Sequence, residues 1–286
     1  MKRKKKTSFG KLLIIRVIAH IFLLGIAIYI SLPVLRVIQL SIQPPETYFT
    51  LERSLLSQSI TFDNFVKLFA DTKYPRWLFN SILIASLQTL ITCAVCMLAA
   101  YGYTVYSFRA KEKLFLFMLS TVMIPGAVAV PALFTFFKVL NLLNTYLAVV
   151  FPGVASVFGL FFMRSYMATA VARELVDAGR IDGASELGIF YKIILPTLKP
   201  GLAALAILVF TGSFNDFFWP MIVLRTEDMY TVQVGLPTWN VIIGAAKIRY
   251  DLLAAGSVVS TIPPLLIFIF FQRYLISGLT FGVLKK

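Results

Sequence analysis

The sequence predicts an all-α membrane protein with six transmembrane helices, and three observations predict it. Charge is scarce: of 286 residues only 14% are Asp, Glu, Lys or Arg, and 59% are hydrophobic, whereas soluble chains average about 25% charged. So apolar a chain cannot clothe itself in polar surface, which excludes a soluble enzyme. The few charges also bracket six apolar stretches, each long enough for the ~20 residues a helix needs to cross hydrocarbon. Those stretches lack the alternation of barrel strands and are too long for one, so their backbone groups must be satisfied within helices.

The first stretch is Leu12–Leu35, with Arg16 near its start. It follows the basic run Met1-Lys-Arg-Lys-Lys-Lys6. The apolar run outlasts the roughly 7–15 residues of a signal peptide and no small-residue cleavage site follows, so it reads as an uncleaved span. The second stretch lies between Arg76 and Arg109, the third between Lys113 and Lys138, and the fourth between Lys138 and Arg164. Pro125, Pro131 and Pro152 are expected to kink the third and fourth. The fifth runs from Gly201 to about Leu224 and the sixth from Asp251 to Arg273. Three regions follow: residues 1–74 (basic start, first span, external loop), a domain of the remaining five spans over 75–275, and a tail at 276–286.

Orientation comes from Lys and Arg. With the amino terminus inside, segments 1–16, 106–113, 164–200 and the tail after Gln272 hold 18 of the 27 basic residues. The outer segments mix their basic residues with Glu46, Glu52, Asp63, Asp71, Glu227, Asp228 and Asp251. Both termini are therefore expected to be cytoplasmic. The net charge of +14 is this bias, which argues against a nucleic-acid partner.

One inner segment is long, residues 164–200. Leu175, Ala178 and Ile181 fall at helical spacing on one side. Asp182-Gly183 signals a turn, with Asp182 expected to cap a second short helix containing Ala184 and Leu187. Pro196 and Pro200 close the segment before the next span. An exposed helical pair of this kind suits a groove in another protein, although charge alone would equally fit a solvated connector.

The spacing is more specific. Asp177-Ala178-Gly179, then Gly183, then Ile193-x-Leu195-Pro196 resembles the EAA loop of inner-membrane permeases of binding-protein-dependent ABC importers. That pattern is Glu-Ala-Ala, three residues, Gly, nine residues, Ile-x-Leu-Pro. Every gap agrees; Asp177 stands for Glu and Gly179 for the second Ala. Arg180-Ile-Asp-Gly-Ala-Ser185, Phe214-Asn-Asp-Phe217 with Pro220, Gln272-Arg-Tyr-x-x-x-Gly278, Met123-Ile-Pro125 and Asn80-Ser81 are similar to the smaller permeases of carbohydrate importers related to the maltose transporter. These matches run in order over roughly residues 60–286.

The resemblance implies an ABC type I importer permease fold in a bacterial inner membrane. It implies a second permease subunit, two ATP-binding cassette subunits that consume ATP and Mg, an external solute-binding protein and a carbohydrate substrate, all in membrane lipid. On this reading Glu174, Asp177, Ala178, Gly179, Asp182, Gly183, Ala184, Ile193, Leu195 and Pro196 form the ATPase-coupling loop. No catalytic residue, metal site or bound cofactor is expected in this chain. The absence of GxxxxGK[ST] from the sequence agrees, placing ATP hydrolysis in another subunit.

Weaker signals remain. Asn215 and Asp216 are expected inside the fifth span, where a carboxylate costs ~2.5–3.5 kcal/mol unless it meets a partner or water. With Trp219 they are candidates for a substrate pathway, or for a structural hydrogen bond. Cys93-x-x-Cys96 reads as buried small hydrophobes, and His20 as a satisfied interfacial group. The competing function is an ion-coupled secondary transporter, which would call for internal repeats and mid-membrane charges. A membrane-embedded enzyme would need a nucleophile, base or metal cluster that one histidine and two cysteines do not supply.

Overall fold

A computed structural model describes residues 9–45, 60–242 and 249–280. The lysine-rich start, Glu46, Glu52 and the last residues of the tail lie outside them. Thirteen α-helices occupy the described residues. Four are long and apolar enough to cross a membrane, and up to six spans result if each of two bent pairs counts as one.

The chain divides into two compact units, one of Met1–Asp71 with Ala246–Val259 and one of Thr72–Ala245 with Ser260–Lys286. In the first, α1 (Phe9–Ser41) turns apolar side chains outward along its length, with Phe22 66% and Tyr29 75% exposed. Only lipid or other protein satisfies such a surface. His20 Nδ1 is hydrogen-bonded to the Arg16 carbonyl at 2.6 Å within the same helix, a satisfied group. The short α2 (Asp63–Ala70) is tied back by Asn64, fully buried, whose Nδ2 donates to the carbonyls of Ser41 (3.0 Å) and Gln43 (2.8 Å).

In the second unit, α3 (Tyr74–Val105) is the central post. Against it pack α6 (Tyr146–Val154), α7 (Val157–Ala170), α10 (Leu195–Phe214) and α12 (Val232–Ile242). Its 32 residues give about 48 Å at 1.5 Å per residue, enough to span hydrocarbon with turns to spare.

The expected kinks occur at two of the three prolines. The third apolar stretch is α4 (Lys111–Thr121) and α5 (Gly126–Val139), set 94° apart across a break that ends at Pro125. The fourth is α6 and α7, bent by 44° just after Pro152. Pro131 lies inside α5 without interrupting it. α13 (Tyr250–Thr280) continues through Pro263 and Pro264.

The fifth stretch is corrected at both ends. Its helix starts before Gly201: α9 (Glu186–Ile189) runs through a π turn over Phe190–Ile194 into α10. It stops at Phe214, and α11 (Phe218–Val223) is a separate short helix. Thus Asn215 and Asp216 lie in the break between two helices, not within a span. The π turn comes directly before Leu195-Pro196, with Leu195 N bonded to the Phe190 carbonyl. Pro196 has no N–H, and its ring would meet the Lys192 carbonyl in a regular α-turn; the wider turn accommodates it.

Two cores result. One joins Cys96, Ala100 and Tyr101 of α3, Met163 and Met167 of α7, and Val176, Ile189, Phe190, Ile194 and Leu198. The other joins Ile84, Phe137, Ala148, Val149, Trp219 and Val223. Cys93 and Cys96 are buried free thiols, as expected of small hydrophobes.

Candidate functional site

Segment 164–200 folds as α8 (Arg173–Ile181), a turn, then α9. The turn follows from Gly183. Its φ is +76°, a left-handed conformation that costs a residue with a Cβ about 1–2 kcal/mol. Gly183 N donates to the Arg180 carbonyl (3.0 Å) and Ala184 N to the Gly179 carbonyl (3.0 Å), the paired bonds of a glycine-terminated helix. Asp182 is the C-terminal cap of α8, not the N-terminal cap of α9. Ser185 takes that role: its Oγ accepts from Gly188 N at 3.1 Å.

The loop has two unlike faces. Inward, Val176 is 3% exposed and joins Ile189, Phe190 and Ile194 in the core shared with α3 and α7. Gly179 is the closest approach: a Cβ there would lie 3.0 Å from Ile193 Cδ1 and 3.1 Å from Ile189 Cγ1. Outward, the expected stripe is displayed, with Leu175 exposed and Ile181 85% exposed, and Leu187 of α9 adds to it at 67%. Glu174, Asp177, Ala178, Asp182 and Ala184 are exposed with them, while Ile193 and Leu195 are half-buried beneath. A solvated connector would not bury its inner face in the main core.

Sequence reasoning missed the carboxylate that pins this loop. Glu186 Oε1 accepts from Arg180 Nε (2.8 Å), and its Oε2 accepts from the hydroxyls of Tyr106 (2.6 Å) and Tyr101 (3.1 Å). Arg180 also pairs with Asp177 (3.6 Å) and lies over the Tyr106 ring. One side chain therefore joins α8, α9 and the end of α3. By accepting a hydrogen bond from its hydroxyl, Glu186 raises the Tyr106 phenol above the ordinary tyrosine range, which keeps it a donor. Arg180 lies six residues before Glu186, whereas the tyrosines stand 80 and 85 residues away.

The other candidates are held differently. Asn215 ends α10, and its Oδ1 accepts from Gln233 Nε2 at 3.3 Å. Asp216 Oδ1 accepts from Phe218 N (3.1 Å) and Trp219 N (3.4 Å), capping α11. Trp219 is committed to the core: its indole N–H donates to the Ala148 carbonyl at 2.8 Å, and its ring packs on Phe137. Trp219 is thus buried with its indole donor taken up by the α6 backbone.

The opposite end of α3 is clasped too. Asn80 Nδ2 donates to the carbonyls of Asp228 (2.9 Å) and Tyr230 (2.8 Å), and its Oδ1 accepts from Tyr146 (2.7 Å). Ser81 Oγ accepts from Val232 N (2.8 Å). Lys73 pairs with Asp228 (3.0 Å) and Glu227 (3.1 Å), which raise its ammonium above the ordinary lysine range. Gly235 sits where any Cβ would strike the Trp77 indole. The Asn80-Ser81 pair thus fixes the loop after α11.

Residues 92–281 match the family described as binding-protein-dependent transport system inner membrane component. The chain belongs to that family. Full-length similarity reaches 38% identity to an arabinooligosaccharides transport system permease protein of Halalkalibacterium halodurans, covering 100% of both chains. A trehalose/maltose transport system permease protein of Thermococcus litoralis is 34% identical, over 94% of this chain and 97% of that one. Among solved structures, a bacterial ABC transporter that imports the acidic polysaccharide alginate superposes with TM-score 0.81, covering 94% of this chain and 98% of that chain at 20% identity. That likeness establishes the fold. The family is one of transport-system membrane components rather than of enzymes.

Proposed function

We propose that this chain is one of two permease subunits of an ATP-driven oligosaccharide importer in a bacterial inner membrane. It forms half of the solute route, with both termini on the cytoplasmic side and each bent pair, α4–α5 and α6–α7, counted as one crossing. The exposed stripe of α8 and α9 docks on an ATP-binding cassette subunit, where ATP and Mg are consumed. An external solute-binding protein delivers the sugar on the other side.

The observation that carries this reading is the two-faced loop. Leu175, Ile181 and Leu187 are open to a partner, while Glu186 and Gly179 fix the same loop to the helix bundle. Such a part does no chemistry. It is a lever: movement of the docked subunit must displace α8 and α9 together, and with them the end of α3. Alternating access then follows as a shift between two rigid arrangements. The relatives' names, which specify arabino-oligosaccharides and trehalose or maltose, support an oligosaccharide as cargo.

The test is uptake by vesicles holding the full importer with an ATPase subunit disabled in its phosphate-binding loop. Uptake should vanish. Persistent uptake driven by an ion gradient would instead favour a secondary transporter.

A further inference from the structure

Where α6 bends into α7, the bundle leaves a cleft of about 290 Å³ between α3, the bend and α10. Gln88 enters it from α3, Gly153, Ser156 and Phe158 from the bend, and Gly212 and Ser213 from α10. Gln88 is the 15th of the 32 residues of α3, so it lies about 21 Å and 26 Å along the helix from its two ends. That is the middle of the hydrocarbon, where an amide needs protein or water. Only half of its need is met: Oε1 accepts from Ser213 Oγ at 2.9 Å. Among the described residues no acceptor takes the Nε2 hydrogens.

Glycine at position 153 lets the Gln88 amide lie against the bend. A Cβ at Gly153 would overlap Gln88 Nε2, and one at Gly212 would meet nothing within 4 Å. The lining sets an amide, two hydroxyls and the half-open ring of Phe158 beside the aliphatic Leu205, Leu208 and Val209, and the described lining residues carry no charge. Amide and hydroxyl groups exchange hydrogen bonds with sugar hydroxyls, and an aromatic face takes the apolar side of a pyranose or furanose ring.

We propose that this cleft is a solute subsite of the subunit, in which Gln88 Nε2 donates to a hydroxyl of a neutral saccharide passing the middle of the membrane. The subsite deepens the oligosaccharide reading above and rests on it. It sets which sugars pass once the binding protein has released them.

The experiment uses the complete importer in proteoliposomes with its binding protein, supplied with arabinotriose and with maltotriose. Gln88→Leu keeps the size and removes the amide. Complex yield should stay within twofold of wild type. Uptake per complex should fall about tenfold for the better substrate, the worth of one hydrogen bond, and by a different factor for the other. In a Cys93→Ala, Cys96→Ala background, Ser213→Cys should react with a charged thiol reagent, and transported sugar should slow the reaction.

Equal uptake by Gln88→Leu and wild type would overturn the subsite. So would a loss of complex yield with normal uptake per complex, which would make the cleft a contact between subunits. Failure of Ser213→Cys to react in any nucleotide state would overturn it as well. If the wild-type complex moved neither these sugars nor any other oligosaccharide, the oligosaccharide reading itself would fail, and the subsite with it.

Discussion

Gly179 and Ile193 are packed so closely that a Cβ on the glycine would stand 3.0 Å from the isoleucine Cδ1. The family pattern has alanine where this chain has Gly179, so the substitution lets α8 settle nearer the π turn. An alanine would regain about 1 kcal/mol of helix propensity and lose part of it in pushing Ile193 aside. Gly179→Ala is therefore expected to be near neutral. Gly179→Leu should lift α8 from the core and weaken retention of the ATPase subunit at least tenfold, as read by co-purification at increasing salt.

Gly183 is constrained by conformation instead of space. Its φ is +76°, yet a Cβ there meets nothing within 4 Å. Gly183→Asn, which visits the left-handed region readily, should preserve coupling. Gly183→Val should lose about 1–2 kcal/mol of turn stability. Gly183→Arg should add bulk on the docking face and weaken ATPase association while membrane insertion stays intact. Measuring complex assembly for all three variants separates strain from bulk; equal assembly of the valine and arginine variants with wild type would contradict both effects.

Glu186 is expected to couple more than it holds. Removing it frees Arg180, Tyr101 and Tyr106 together. Glu186→Ala should leave the ATPase subunit bound, because the exposed stripe remains. Stimulation of ATP hydrolysis by liganded binding protein should drop severalfold, with uptake falling alongside. Glu186→Gln keeps one acceptor and two donors and should fall between. If both variants transported as wild type, the carboxylate would have no part in the lever.

Asp216 separates a cap from a pathway group. It accepts from two backbone N–H groups at the start of α11. Asp216→Asn retains an acceptor oxygen and should be tolerated. Asp216→Ala should cost about 1 kcal/mol, lowering thermal stability of the complex equally with every substrate. A loss of uptake that differed between two sugars at unchanged thermal stability would restore a pathway role.

Much of the architecture was legible from charge placement, because Lys and Arg are excluded from hydrocarbon and so bracket the spans. The helical pair of segment 164–200 was legible because helix spacing and a turn at glycine are local properties. What was hidden depended on distant partners. Glu186 reads as an ordinary exposed glutamate until Tyr101 and Tyr106 are brought to it, and Gln88 reads as a lone amide until Ser213, 125 residues on, reaches it. The end of the fifth helix was misplaced because Asn215-Asp216 sits in an unbroken apolar run. The pair ends one helix and caps the next, and periodicity alone does not distinguish that from a polar pair within one helix. The cap of α9 was assigned to Asp182 for a related reason: Asp182 and Ser185 are both good capping residues, and only the left-handed step at Gly183 decides between them.

On the proposed function, the outward stripe of α8 and α9 touches the ATP-binding cassette subunit. Ile181, 85% exposed, is its most prominent side chain. A photoreactive amino acid placed at position 181 in the assembled importer tests this directly. On illumination it should cross-link to the ATP-binding cassette subunit, with a yield that changes between the nucleotide-free and ATP-bound states. A transport-competent complex in which position 181 never cross-links to that subunit, in either state, would contradict the account.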